Sequence, residues 1–171
     1  MRPGRYEALY RNRQCTDRGR FFKFRRVYPH RELSADDSMS RQHTISIRVR
    51  YPEVDAMGYL HHSRYLQYFE MGRVELLRSL GHTYADLERQ GLFFVVVKVE
   101  CRYKAPARYD DELLLTTRVT RQTHVRIDHG YELKRGMTLL AEATTTIACV
   151  DKAGQLQPIP EFLAGETSAV R

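Results

Sequence analysis

The chain has 171 residues, 42% of them hydrophobic and 29% charged, a composition that describes one folded domain with its own core and excludes a disordered chain. It has no apolar run near the roughly 20 residues that a membrane-crossing helix needs, so no membrane insertion is expected. Cys15, Cys101 and Cys149 are scattered without metal-type spacing and point to free thiols in a reducing cytoplasm. The net charge is +7, but ten of the 28 basic and five of the 21 acidic residues stand in the first forty, which leaves eighteen against sixteen for the rest. The surplus belongs to the leader, and no nucleic-acid partner is expected.

Residues 1–40 carry arginines among Pro, Gly and Ser with no amphipathic period, which reads as a basic flexible leader. Glu7, Asp17, Glu32, Asp36 and Asp37 argue against a transit peptide, and no apolar signal segment is present. Met39, just before the first convincing strand, offers an alternative biological start, and the sequence leaves open whether residues 1–38 are made. The folded domain is expected over 41–163, with a tail over 164–171.

Ile45, Ile47, Val49 and Tyr51 alternate with Ser46, Arg48 and Arg50, the period of a half-buried strand. After Asp55, apolar residues Tyr65, Leu66, Phe69, Leu76, Leu77 and Leu80 recur at helical spacing until Gly81 offers a stop. An Asp beside a helix start lies near unpaired backbone N–H groups, a junction able to hold an anion or polarise a carbonyl. Gly72, in mid-helix, costs about 1 kcal/mol relative to Ala and is expected to permit close approach by a sheet.

Thr83–Glu88 reads as a short helix or turn. Phe93–Tyr103 opens as a continuous apolar run and then alternates, as in a strand buried first on both faces and later on one. Ala105-Pro106 interrupts it and Arg108–Asp111 makes a turn. Glu112–Thr120, Val125–Leu133 and Leu139–Val150 are further strands, closed by a turn at Asp151–Gly154. The order predicts an α+β domain, an antiparallel sheet of about five strands wrapped around one long helix.

These motifs resemble the hotdog-fold acyl-CoA thioesterases, in particular the 4-hydroxybenzoyl-CoA thioesterase-like branch. The resemblance runs from about Ile45 to Ile159 and rests on three segments: Tyr51-Pro-Glu-Val-Asp55-Ala-Met-Gly58, Tyr65-Leu-Gln-Tyr68-Phe-Glu70, and Cys101-Arg-Tyr-Lys104-Ala-Pro-Ala-Arg108-Tyr-Asp-Asp111. It implies a hotdog sheet around the helix, with two subunits joining their sheets and active sites at the subunit interface, in a homodimer or homotetramer. It places the catalytic carboxylate on Asp55. Gly58 becomes the small residue that lets the loop bend towards the thioester, and His62 the backbone N–H aimed at its carbonyl. Tyr51 and Tyr65 fall on aromatic positions lining or bracing the pocket, and Lys104 and Arg108 near the coenzyme A chain. Val54 stands where relatives commonly have Thr. Met57 stands where a second Gly is frequent and would narrow the acyl pocket, and His61 replaces what is often an aromatic residue.

Thioester hydrolysis needs an oxygen nucleophile and a stabilised oxyanion. Asp55 supplies the first either by direct attack, giving a mixed anhydride, or as general base on water, and the sequence leaves both open. No cofactor or metal is expected, coenzyme A being part of the substrate. The adjacent pair His61-His62 lacks ligand-spaced partners, and Ser63 lacks a triad. Glu70, Glu75 and Arg73 read as surface ion partners. An acyl-carrier-protein thioesterase and a non-catalytic acyl-CoA-binding protein are the alternatives; a hotdog dehydratase lacks its His-Phe-Pro-Gly type segment here.

Overall fold

The computed structural model describes residues 41–163 and the backbone of Arg31–Glu32. Most of the basic leader, Met39 and the tail 164–171 lie outside the described residues. The elements are β1 (Arg31–Glu32), β2 (Gln42–Arg48), α1 (His62–Ser79), α2 (Tyr84–Arg89), β3 (Phe93–Tyr103), β4 (Glu112–Gln122), β5 (Arg126–Arg135) and β6 (Thr138–Val150). All strand pairings are antiparallel, in the order β4–β5–β6–β3, with both β2 and the two-residue β1 on the outer side of β4. Helix α1 lies against one face of this sheet, the α+β hotdog arrangement expected.

Alternation along the strands decides what the helix covers. Leu113, Leu115, Thr117 and Val119 of β4 are buried, as are Ile127, His129, Tyr131 and Leu133 of β5. They meet Tyr65, Tyr68, Phe69, Leu76 and Leu77 of α1 in two adjoining apolar clusters. Gly72 sits where α1 comes nearest β4, against Thr117 and Leu115. The helix stops as the sequence foretells. Gly81 takes φ 85°, its N–H bonds the Arg78 carbonyl and that of His82 bonds the Leu77 carbonyl, a Schellman closure. Thr83 and Asp86 cap α2 reciprocally.

Three expectations need correction. Strand β3 is not buried on both faces. Among the described residues it is the sheet edge, paired only with β6, and Val95, Val96, Val97 and Val99 all stand exposed there, Val97 at 52%. Tyr51 does not continue the buried alternation, because β2 ends at Arg48 and a 3-10 turn over Tyr51–Glu53, with Pro52 in its first turn, leaves Tyr51 75% exposed. Arg73 is not a surface residue. Its side chain is only 10% exposed, paired with Glu70 at 3.5 Å, and it lines a small cleft between α1 and the sheet with Arg41, Tyr84 and His129. Glu75 does form a surface ion pair, with Arg78.

Candidate active site

The segment from the end of β2 to the start of α1 is stitched at every step. Val49 exchanges backbone bonds with Asp110 and Asp111, and Leu60 donates to Ala107, both at 2.8–3.0 Å. Val54 bridges Leu60, and Tyr59 bridges Arg108. Within this frame Asp55 opens a tight turn. Its N–H donates to Tyr59 O (2.8 Å) and its carbonyl accepts from Gly58 N–H (2.9 Å), with Gly58 at φ 73°, the hairpin loop that ends on a left-handed residue. A Cβ on Gly58 would also lie 3.8 Å from the Arg108 guanidinium.

The Asp55 side chain takes part in the same turn. Its Oδ1 accepts from the N–H of Met57 (2.8 Å) and of Tyr59 (3.2 Å), while no hydrogen bond of the described residues uses Oδ2. The donors are therefore those of the turn, not of the helix. The helix cap is His61 instead, whose Nδ1 accepts from Ser63 N–H and lies 2.8 Å from Ser63 Oγ. His62 is the first helical residue. Its carbonyl accepts from the Tyr103 hydroxyl at 3.2 Å, and its own N–H has no partner among the described residues. Burial, helped by Cys101, pushes the Tyr103 phenol up to about 12, so it remains a donor.

Tyr65 is buried and braces the site from below, edge-to-face with Tyr103 at 4.9 Å. Arg108 lies over the Tyr59 ring at 4.6 Å, and its backbone bridges Tyr59. Lys104 does not join it: its ammonium sits 3.3 Å from Glu142 on the sheet face opposite α1. Met57 is 70% exposed, and Tyr51 pairs edge-to-face with Tyr109, so neither lines a pocket within this chain. The larger cleft, about 320 Å³, is lined by Glu100, Arg102, Arg118, Gly130 and Glu132, away from the Asp55 turn.

Sequence reasoning passed over Glu53. It is buried at 2% exposure, and accepts from the Arg50 backbone and guanidinium and from the Tyr68 hydroxyl. Burial alone would raise its carboxyl; the bonds from Arg50 and Tyr68 outweigh that and hold it below its ordinary value. The available signal was Tyr68, a phenol on the buried stripe of a helix, whose hydroxyl had to find a partner.

An antiparallel sheet packed by one face on a single long helix is the hotdog arrangement. The family model of the Thioesterase-like superfamily matches residues 49–166, and the chain belongs to that superfamily, a thioester hydrolase of the hotdog fold. It is 39% identical over 114 residues to the acyl-CoA thioesterase YbgC of Haemophilus influenzae, covering 66% of this chain and 83% of that protein. It is 35% identical to the putative acyl-CoA thioesterase YneP of Bacillus subtilis, covering 62% and 78%. Among solved structures, a probable thioesterase from Bartonella henselae superposes with TM-score 0.67 at 32% identity, over 70% of this chain and 99% of the other. The DHNA-CoA thioesterase of Staphylococcus aureus gives TM-score 0.68 at 26% identity, over 72% and 84%.

Proposed function

We propose that the protein hydrolyses acyl-CoA, converting the thioester and water to a carboxylic acid and free coenzyme A, with Asp55 as the working carboxylate. One observation carries this reading: Asp55 Oδ1 is pinned by two backbone N–H groups while, among the described residues, Oδ2 accepts no hydrogen bond, on the turn that leads to the His62 N–H, likewise without a partner among them. The first oxygen fixes the side chain and the second is left to attack the thioester carbon or to take a proton from water. The His62 N–H then stabilises the oxyanion, a donor whose loss typically costs about 10²–10³ in turnover. Gly58 lets the loop bend towards the thioester, its φ of 73° being one that a side chain would strain. Arg108 is the cation placed for a coenzyme A phosphate. Tyr65 braces the floor, and Met57 and Tyr51 contact substrate only once a second chain closes the site. The chemistry calls for no metal ion or prosthetic group.

A homodimer belongs to this reading. An 11-residue edge strand with an exposed valine run is a surface that natural proteins cover, and a second β3 laid antiparallel along it would cover it and join the two sheets.

Thiol release from short, medium, long and aromatic acyl-CoAs, compared between the wild type and Asp55→Asn, tests the function. The expected result is hydrolysis that the substitution lowers at least about 10²-fold with the fold intact. Full activity in Asp55→Asn removes Asp55 from the mechanism. Hydrolysis of acyl-carrier-protein alone, or saturable acyl-CoA binding without release, overturns the substrate reading.

A further inference from the structure

Glu53 stands two residues before Asp55 and has almost no access to solvent. A buried carboxylate costs several kcal/mol unless its lone pairs are met, and here they are. Oε2 accepts from the Arg50 backbone N–H at 2.8 Å and the Tyr68 hydroxyl at 2.7 Å. Oε1 accepts from Arg50 Nε at 3.1 Å and Nη2 at 2.6 Å. Nothing is left over for a substrate, so Glu53 is no second catalytic acid.

Its connections share one geometric feature. The Glu53 carbonyl accepts from the N–H of His61 at 2.9 Å, the cap of α1. Its carboxylate grips Tyr68, about 10 Å further along the same helix at 1.5 Å per residue. Through Arg50 it also holds the end of β2. One residue thus grips α1 at two heights, and the chain between the grips and the helix start is Val54–Leu60, the Asp55 turn. An apolar residue of equal size would fill the space, but it would not fix an angle as directional bonds to a charge do.

We infer that Glu53 is a positioning residue. Clamped between Arg50 and the Tyr68 hydroxyl, it fixes the Asp55 turn against the first turn of α1, so that the Asp55 oxygen and the His62 N–H keep their spacing. It acts through Asp55 and therefore stands on the reading proposed above. Reacting groups need placement within about 0.5 Å, and a shift of about 1 Å can cost about 10²-fold.

Tyr68→Phe tests this most cleanly, because it removes one hydroxyl and leaves the ring in the core. Glu53→Gln removes the charge at constant shape, and if it fails to fold, Tyr68→Phe decides alone. On the best acyl-CoA of the panel, Tyr68→Phe is expected to lower kcat about 10–100-fold with KM nearly unchanged. Amide exchange should quicken in a peptide spanning 54–62 and not in one from β4–β5. The double variant Asp55→Asn/Tyr68→Phe should be no slower than Asp55→Asn. An unchanged kcat with a lowered Tm makes Glu53 structural only and overturns the inference, as do losses that multiply in the double variant. Asp55→Asn at wild-type rates sinks the Asp55 reading and this inference together. An inactive Asp55→Asn beside a fully active Tyr68→Phe sinks the inference alone.

Discussion

Helix α1 rests on the sheet so closely at Gly72 that one added methyl has nowhere to go. A Cβ at 72 would run into Thr117 Oγ1 and stand 2.9 Å from Leu115 Cδ2. Two effects oppose each other in Gly72→Ala. Helix propensity favours Ala by about 1 kcal/mol, and overpacking a filled core costs about 1–3 kcal/mol. The second wins here, because neither neighbour can yield into solvent. Thr117 and Leu115 are fully buried, and a β-branched Thr has few rotamers to choose from. Lifting the helix instead would loosen Tyr68, Phe69 and Leu76 together. The expected net loss is about 1 kcal/mol, a fall in Tm of roughly 2–4 °C for a domain of this size, read by thermal and urea denaturation with an unchanged m-value. Thr117→Ala supplies the control, since it removes the oxygen that collides and a buried hydroxyl that has no partner among the described residues. In that background Gly72→Ala should cost at least about 1 kcal/mol less. A Gly72→Ala protein as stable as the wild type, or a cost indifferent to Thr117, refutes the close-approach explanation.

His129 is buried, its Nδ1 without a hydrogen-bond partner among the described residues, and burial first, then the charges of Arg73 and Arg41, push it down to about 3. Tyr131 and Tyr84 also face this region. Because the unfolded chain takes up that proton near 6.5 and the folded chain does not, the His129 contribution to stability is constant above about pH 7 and falls by about 2 kcal/mol by pH 5. His129→Phe should flatten that part of a Tm–pH curve, and an equal slope in the variant rejects the assignment. At the sheet edge, Val97→Lys should weaken the proposed dimer more than about 100-fold, because a β3–β3 seam would desolvate the added charge, and activity should fall with it. Size-exclusion chromatography with light scattering checks this; a wild-type monomer, or a Val97→Lys dimer of undiminished strength, rejects the β3 interface.

Much of the architecture was legible because the determining interactions are local. The period of β2, the apolar stripe of α1, the Gly81 stop and the Thr83/Asp86 cap all lie within a few residues of what they specify. The misreadings share the opposite property. An apolar run such as Phe93–Val97 looks the same whether neighbouring strands bury it or it waits at an edge for another chain. Arg73 reads as a surface charge until tertiary packing carries its guanidinium under the helix beside Tyr84 and His129. Tyr51 keeps the strand's rhythm in sequence, while Pro52 has already turned the backbone away.

The site poses a subtler problem, because ordinary turn chemistry explains Asp55 and Gly58 without any function. An Asp whose side chain accepts two backbone N–H groups, followed by a left-handed Gly, is what this hairpin needs simply to form. Their identities are therefore weak evidence of catalysis. The informative features are those that turning does not require: among the described residues, a second carboxylate oxygen that accepts no hydrogen bond, and a helix N–H without a partner seven residues on. Arg108 drawn across the glycine belongs with them, as does a buried, fully bonded Glu53 behind the loop. A loop that had only to reverse direction would be served by an apolar residue at 53 at no cost in desolvation. A loop that must hold one oxygen and one N–H in fixed relation has a use for a charge.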